Sequence, residues 1–489
     1  MKLTGWRKKL IWAGGLSLLS LGMYIFSSWR FFKVGFPLDD AWIHQTYARN
    51  FSQTLQWSFL PDSSSGGSTG PLWGGLLSLT HWLGFGPQLS GYFWGGLCLA
   101  AAALLAMELF KLNFPEYEKF QGWIILLVVS EWHLVWAAGS GMETLLFAAA
   151  VLAVFLFISK EGSNPMAAGA LTGLAVWIRP GGVTLLAPVV LLILLRERRP
   201  WKIIQQLIKV AAGFLILFLP YVLFNYLVAG DVWPNTFYAK QAEYAALRRN
   251  PLWRRAWEVG RQIFVGGGIL LFPGFIYTVI KAVQRQQGVI LAAAAWGWGY
   301  VGLYIWRLPV SYQHGRYIIP ALPVIYILGA AGVIQLLKFR NTSRMRLILS
   351  GAAAGSLILT SLIFWGLGAR AYARDVAIIE SEMVTTAKWI ARNTEEEALI
   401  AAHDIGALGY FGQRDILDLA GLVTPDVIPI IREEGELAEY ITERGAEYLV
   451  TFPSWYPELT KTVLPVYQTD GKYAPAYGGE NMVVYRWNR

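Results

Sequence analysis

The chain has 489 residues, 55% of them hydrophobic and only 15% charged. Water-soluble domains carry about a quarter charged residues, so the composition excludes an ordinary soluble enzyme and indicates a multi-pass membrane protein. The net charge of +9 would suggest nucleic acid in a soluble chain. Here Lys and Arg gather in short loops between apolar runs, a sign of membrane sidedness, and no nucleic-acid partner is expected.

In chain order, MKLTGWRKK leads into an apolar run with no small-residue cleavage site before SSWRFFKVG. It reads as an uncleaved first span. Roughly eleven spans are predicted, near 10–28, 88–110, 122–138, 142–159, 166–178, 182–195, 207–228, 262–280, 289–306, 317–337 and 347–366. The segments 166–178 and 182–195 are short and read as a broken pair meeting at Arg179-Pro180-Gly181-Gly182. The Gly-rich stretch 71–85 reads as interfacial. Basic residues mark alternate loops: Lys2, Arg7, Lys8 and Lys9; Lys111 and Lys119; Lys160; Arg196, Arg198, Arg199 and Lys202; Lys281 and Arg285; Lys338, Arg340, Arg344 and Arg346. By the positive-inside rule these loops and the N-terminus are cytoplasmic. The loops 29–87 and 229–261 and everything after 366 then lie outside the cell membrane. Arg248, Arg249, Arg254 and Arg255 in the second of these loops break the trend and are suited to anionic lipid headgroups.

The tail turns polar and mixed. A helix is expected over Asp375–Arg392 and another near Gly435–Glu443, with strands at Ala398–His403, Ile416–Leu419, Glu447–Thr451 and Met482–Trp487. The predicted fold is a polytopic α-helical membrane module, 1–369, followed by an extracytoplasmic α/β or α+β domain, 370–489. The single Cys98 lies in an apolar run as a small core residue, so no intramolecular disulfide forms. The 23 Trp and 23 Tyr suit interfacial belts and sugar stacking.

The stretch GFPLDDAWIHQTYARNFSQTLQW, Gly35–Trp57, sets Asp39 and Asp40 just outside the first span. One Asp would cap the helix-like run Ala41–Phe51. The second needs another reason, unless it is a solvated loop charge. At a lipid surface, a carboxylate within hydrogen-bond reach of an acceptor hydroxyl serves as general base, and a neighbouring one orients the acceptor or tunes the first. The run SSSGGSTG, Ser63–Gly70, reads as a flexible linker by composition, or as a flap over the site.

This loop resembles the first external loop of the GT-C superfamily of integral-membrane glycosyltransferases. SGMETLLFA, WIRPGG, DVWPNTFYAK, HGRYIIPALP and the tail's HDIGALGYFGQRDILDLAGLVTP are similar to one bacterial branch of it. That branch includes arabinofuranosyltransferase-like and lipopolysaccharide-core enzymes. The resemblance implies an inverting glycosyltransferase that takes sugar from a polyprenyl-phosphate donor. The acceptor would be a glycan or glycolipid of the cell envelope. Asp39 or Asp40 would be the base. Charge developing on the leaving phosphate calls for donors, for which Arg179, Lys240, His314 and Arg316 are available. Glu143 would pair with Arg179 or bind sugar hydroxyls. His44, Arg49 and Asn235 complete the expected substrate-binding set. No cofactor is assigned, and no metal-ligand set is assigned: the five His show no HExxH or tight pairing. A divalent cation, Mg²⁺ or Mn²⁺, on the two carboxylates stays open. The tail's His403-Asp404 and Asp415…Asp418 fit either a ligand site at strand ends or turn chemistry. Competing readings are a polyprenyl-diphosphate-glycan ligase or polymerase and a lipid-linked sugar transporter. The transporter is disfavoured because the one broken pair has no counterpart in a second half.

Overall fold

The computed structural model describes residues 5–61, 63–337 and 344–487. Lys2, Lys338 and Arg340 of the predicted basic loops lie outside them. Each of the eleven predicted spans falls on a helix. Six are long and apolar enough to cross a membrane: Gly5–Phe31, Pro87–Asn113, Pro200–Ala229, Gly288–Arg307, Gln313–Leu337 and Ser350–Asn393. Two more are helix pairs bent by 54° at Glu131 and by 99° between Phe264 and Gly268. The remaining three, Thr144–Ser159, Pro165–Ile178 and Pro180–Arg196, are shorter apolar helices. The protein is a multi-pass membrane protein.

Small residues let the short helices sit tightly against long ones. A Cβ on Gly169 would lie 2.0 Å from Val210 O, and one on Gly213 1.8 Å from Met166 O. Helix Pro165–Ile178 therefore rests backbone to backbone on Pro200–Ala229, as small residues allow where no hydrophobic force drives helices together. In the basic stretch of the 229–261 loop, Arg255 is spent on the carbonyls of Ile305 and Trp306. Trp253 and Trp257 beside it are exposed, as suits a headgroup region.

Within the first loop, helix Asp40–Thr54 is followed by a small antiparallel ribbon, β1 (Ser58–Leu60) and β2 (Ser63–Ser64), and helix Pro71–Trp82. The Gly/Ser run is neither linker nor free flap. Tyr47 Oη hydrogen-bonds Ser65 Oγ at 2.6 Å and accepts the Gly67 N–H at 2.8 Å. A Cβ on Gly66 would meet Ala229, and one on Gly70 would meet Ile178 O at 2.5 Å. These glycines allow close approach, which composition alone cannot distinguish from flexibility.

The last span does not stop at the membrane module. Helix Arg344–Ile379 runs past 370, and after a π-turn at Glu380–Val384 it continues as Thr385–Asn393. The tail sheet has five strands in the order β4-β3-β5-β7-β6, where β3 is Leu399–Ala402, β4 Asp415–Asp418, β5 Tyr448–Thr451, β6 Leu464–Gln468 and β7 Val483–Arg486. β3 pairs in parallel with β4 and β5, and β7 runs antiparallel to β5 and β6. Alternation assigns the two faces. Ala401, Leu449, Val483 and Tyr485 pack under helix Glu434–Glu443. Ile400, Ala402, Val450 and Val484 join the main core with Ile390. The edge strand β6 has no counterpart among the predicted strands, because it is mostly exposed and carries Pro465.

Candidate active site

The carboxyl ends of the three parallel strands face the first loop across a cavity of 690 Å³. His403 and Asp404 follow β3, Ala420 and Leu422 follow β4, and Trp455 and Tyr456 follow β5. Crevices at the carboxyl ends of parallel strands are where open α/β sheets bind ligands. The opposite wall carries Asp39, Asp40, Lys240, Glu243 and Arg316. A second cavity of 260 Å³, mostly apolar, is lined by Pro180, Val183, Trp233, Phe237, Leu303 and Tyr317. Lys240 and Arg316 line both cavities and form the seam between them.

The two aspartates part company here. Neither side chain caps its own helix. Asp39 accepts the N–H groups of Gly406 at 2.6 Å and Ala407 at 2.8 Å, at the start of a short helical segment, 406–412. From the same loop, Arg49 donates to the last carbonyls of that segment, Tyr410 O at 2.8 Å and Gly409 O at 3.2 Å. The Asp39 carboxyl at the N-terminal end and the Arg49 guanidinium at the C-terminal end each pair backbone groups that the segment itself leaves free. Trp42 fills the interface against Tyr410 and Phe411. Asp39 and Arg49, expected in catalysis and substrate binding, thus clamp the tail. A Cβ on Gly406 would lie 2.0 Å from Asp39 O. Gly406→Ala is therefore expected to weaken docking by about 1–3 kcal/mol. The readout is faster amide hydrogen exchange across 404–412, with exchange in the Pro87–Asn113 span unchanged.

Asp40 is the carboxylate that reaches the seam. Its Oδ2 accepts from Arg316 Nη2 at 2.6 Å and pairs with Lys240 Nζ at 3.4 Å. Burial alone would push its carboxyl up, but the charges of Arg316 and Lys240 hold it well below the usual carboxylate range. Burial and then the Asp404 carboxyl push Asp39 the other way, against the pull of its two amide partners.

Across the seam Arg179 Nε donates to Glu143 Oε1 at 3.0 Å, and His44 Nε2 lies 3.3 Å from Glu143 Oε2. His44 is buried behind Glu143 and faces neither cavity. Arg179 Nη1 and Arg316 Nη1 are both buried without a hydrogen-bond partner, and both residues line the apolar cavity. Buried donors of this kind are costly unless something else accepts from them. Asn235 starts helix Asn235–Glu243 and donates its backbone N–H to Gly66 O at 3.1 Å, so it anchors the Gly/Ser run and lines neither cavity. His314 is two residues from Arg316 but faces away. Its Nε2 lies 2.7 Å from Asp375 Oδ2, between the rings of Trp132 and Trp136. Three successive left-handed residues, Gln313, His314 and Gly315 (φ 53°, 58° and 66°), separate the two directions.

Both Asp39 oxygens accept amide N–H groups and Asp40 Oδ2 is shared by two cations. Among the described residues no group of three His, Cys, Asp or Glu could hold a metal ion. Asp418 resolves as turn chemistry, accepting from Ala420 N and Val423 N. Asp404 instead faces the cavity, with Oδ2 buried and unpartnered.

Residues 371–485 match a family described as "Domain of unknown function (DUF8728)". No curated protein matches the chain. Solved structures share the fold at low identity. The oligosaccharyltransferase of Archaeoglobus fulgidus superposes with a TM-score of 0.62 at 12% identity, over 92% of this chain and 70% of that one. ArnT from Cupriavidus metallidurans, bound to undecaprenyl phosphate, gives 0.60 at 14% identity over 97% and 98%. The arabinofuranosyltransferase AftD from Mycobacteria gives 0.54 at 16% identity over 98% and 41%.

Proposed function

From a chain with the fold of the GT-C membrane glycosyltransferases, we propose an inverting glycosyltransferase. It moves sugar from a polyprenyl-phosphate donor to a glycan or lipid acceptor of the cell envelope, on the outer face of the membrane. The observation that carries this is the seam. Two guanidinium groups with unpartnered buried Nη1 atoms, Arg179 and Arg316, line the apolar cavity together with Lys240, and Arg316 and Lys240 also line the Asp40 cavity. That is the chemistry of a phosphate with a lipid tail. The archaeal oligosaccharyltransferase AglB in complex with a dolichol-phosphate shares the fold at 13% identity, which supports the reading.

In this reading the donor phosphate lies against Arg179, Lys240 and Arg316, with its polyprenyl chain toward the apolar cavity. The acceptor enters from the polar cavity. Asp40 takes the proton of the acceptor hydroxyl. The oxygen attacks the anomeric carbon, the bond from that carbon to the phosphate oxygen breaks, and the phosphate leaves with the electron pair. A single displacement inverts configuration, and the fixed cations meet the charge that develops on the leaving group. The incoming phosphate also competes with Asp40 for Arg316 and Lys240, and this raises the basicity of Asp40 when the donor is in place. The basic loops support a cytoplasmic N-terminus and an external cavity.

The test offers purified protein in lipid a panel of polyprenyl-phosphate sugars with cell-envelope extract as acceptor and follows release of polyprenyl phosphate. Release with one sugar, lost in Asp40→Asn, is expected. Donor binding without release from any sugar would overturn the reaction assigned here.

A further inference from the structure

Five carboxylates meet in the polar cavity, and four have partners: Glu434 Oε2 accepts the N–H groups of Glu458 and Leu459. Asp39 holds two amide N–H groups, Asp40 holds Arg316 and Lys240, and Glu243 Oε1 lies 3.5 Å from His403 Nε2. Asp404 differs: its Oδ2 is buried with no hydrogen-bond partner. A buried acceptor left empty costs about 1–3 kcal/mol unless a ligand donates to it. Its neighbour His403 is fixed, with Nδ1 2.7 Å from Tyr456 Oη and its ring edge-on to Trp455 at 5.1 Å. Trp455 is 47% exposed, although it lines a cavity. The tail thus offers, within one cavity, an unpartnered carboxyl oxygen on Asp404 and a half-exposed indole on Trp455.

The ligand that suits this pair must bring neutral donors and a flat apolar face together. The surrounding carboxylates repel a second acid at Asp404. An acyl chain would leave Asp404 unsatisfied. A sugar ring has both features: hydroxyl groups that donate to a carboxylate and a C–H face that stacks on an aromatic ring. We infer that the acceptor is a carbohydrate, and that the tail holds its reacting sugar between Asp404 and Trp455. The inference rests on the glycosyl-transfer reading of the same cavity and names its acceptor class. Asp404 accepts from hydroxyls of the ring, Trp455 stacks on its face, and the free hydroxyl is presented to Asp40.

The test uses the full chain in lipid nanodiscs and saturation-transfer NMR. The probes are methyl glycosides of common pyranoses and furanoses and their disaccharides. Polyprenyl phosphate binding is measured in parallel. Ring protons of at least one glycoside are expected to take up saturation. Trp455→Ala and Asp404→Asn should each weaken that binding by about threefold to tenfold and leave polyprenyl phosphate binding and the unfolding temperature unchanged. Trp455 is exposed, so its variant keeps the proposal testable if Asp404→Asn fails to fold. Polyprenyl phosphate binding with no saturation of any glycoside would overturn the carbohydrate inference alone. Glycosides that bind both variants as tightly as the parent would overturn it too. Failure of polyprenyl phosphate itself to bind would instead bring down the underlying glycosyl-transfer reading.

Discussion

Asp40→Asn is expected to lower turnover by about 10²–10⁴-fold, the usual contribution of a positioned general base, with thermal stability close to that of the parent. Asp40 keeps its cations as an ion pair at the cavity wall, where its side chain is 29% exposed, so the fold depends little on it. Asp39→Asn should do the reverse. It removes one of two acceptors for buried amide N–H groups, which costs about 1–3 kcal/mol of docking stability. Its effect on turnover should follow the loss of docked tail. The pH dependence separates the steps further. Arg316 and Lys240 keep Asp40 ionised to low pH in the free protein. Handing those cations to the donor phosphate raises the pKa of Asp40 in the complex. The acid limb of kcat/KM reports the free protein and that of kcat reports the complex. The kcat limb should therefore lie at higher pH. Coincident limbs would refute the cation handover, and a stable, fully active Asp40→Asn would refute the base.

Arg316→Met is expected to raise the Kd for polyprenyl phosphate roughly 30-fold or more, since truncating one partner of a buried charge pair costs about 2–5 kcal/mol. Met keeps much of the length and apolar contact and removes the fork. Arg316→Lys should recover only part of the affinity, because the guanidinium presents several donors at once: Nη2 holds Asp40 and Tyr317 Oη while Nη1 is unpartnered. His314→Ala is the internal comparison. It lies two residues away, but its partner is Asp375, so it should leave the Kd for polyprenyl phosphate near the parent value. Equal losses in the two variants would mean that the phosphate does not lie at the seam.

That contrast marks the limit of what the sequence conveyed. The long spans were legible because about twenty apolar residues in a row suit little besides a bilayer crossing. The tail strands were legible where a short apolar run stands between polar stretches, as at Leu399–Ala402 and Tyr448–Thr451. Arg179, Lys240 and Arg316 were legible as cations beside apolar runs. The division of labour between Asp39 and Asp40 was not, because it depends on amide groups 367 positions away. The opposed directions of His314 and Arg316 depend on a left-handed turn that Gln313 and His314 adopt against their usual preference. Asp404 carried no local signal that separates an empty acceptor from a turn residue such as Asp418. The first of these distinctions is made by contacts far apart in the chain, and the second by a local backbone conformation that residue type does not announce.

The clamp of Asp39 and Arg49 on the segment 406–412 also sets a schedule. The first loop emerges early in synthesis, but the wall that completes its cavity is made 367 residues later. At roughly 5–20 residues per second this delay is on the order of 20–70 s. Within it, Lys240 and Arg316 join Asp40 after 200 and 276 residues, and from then on the seam has its cations but no carboxyl-end wall opposite. A ribosome-bound chain therefore has an open half-site, and the reactive cavity closes only once nearly the whole polypeptide has been made.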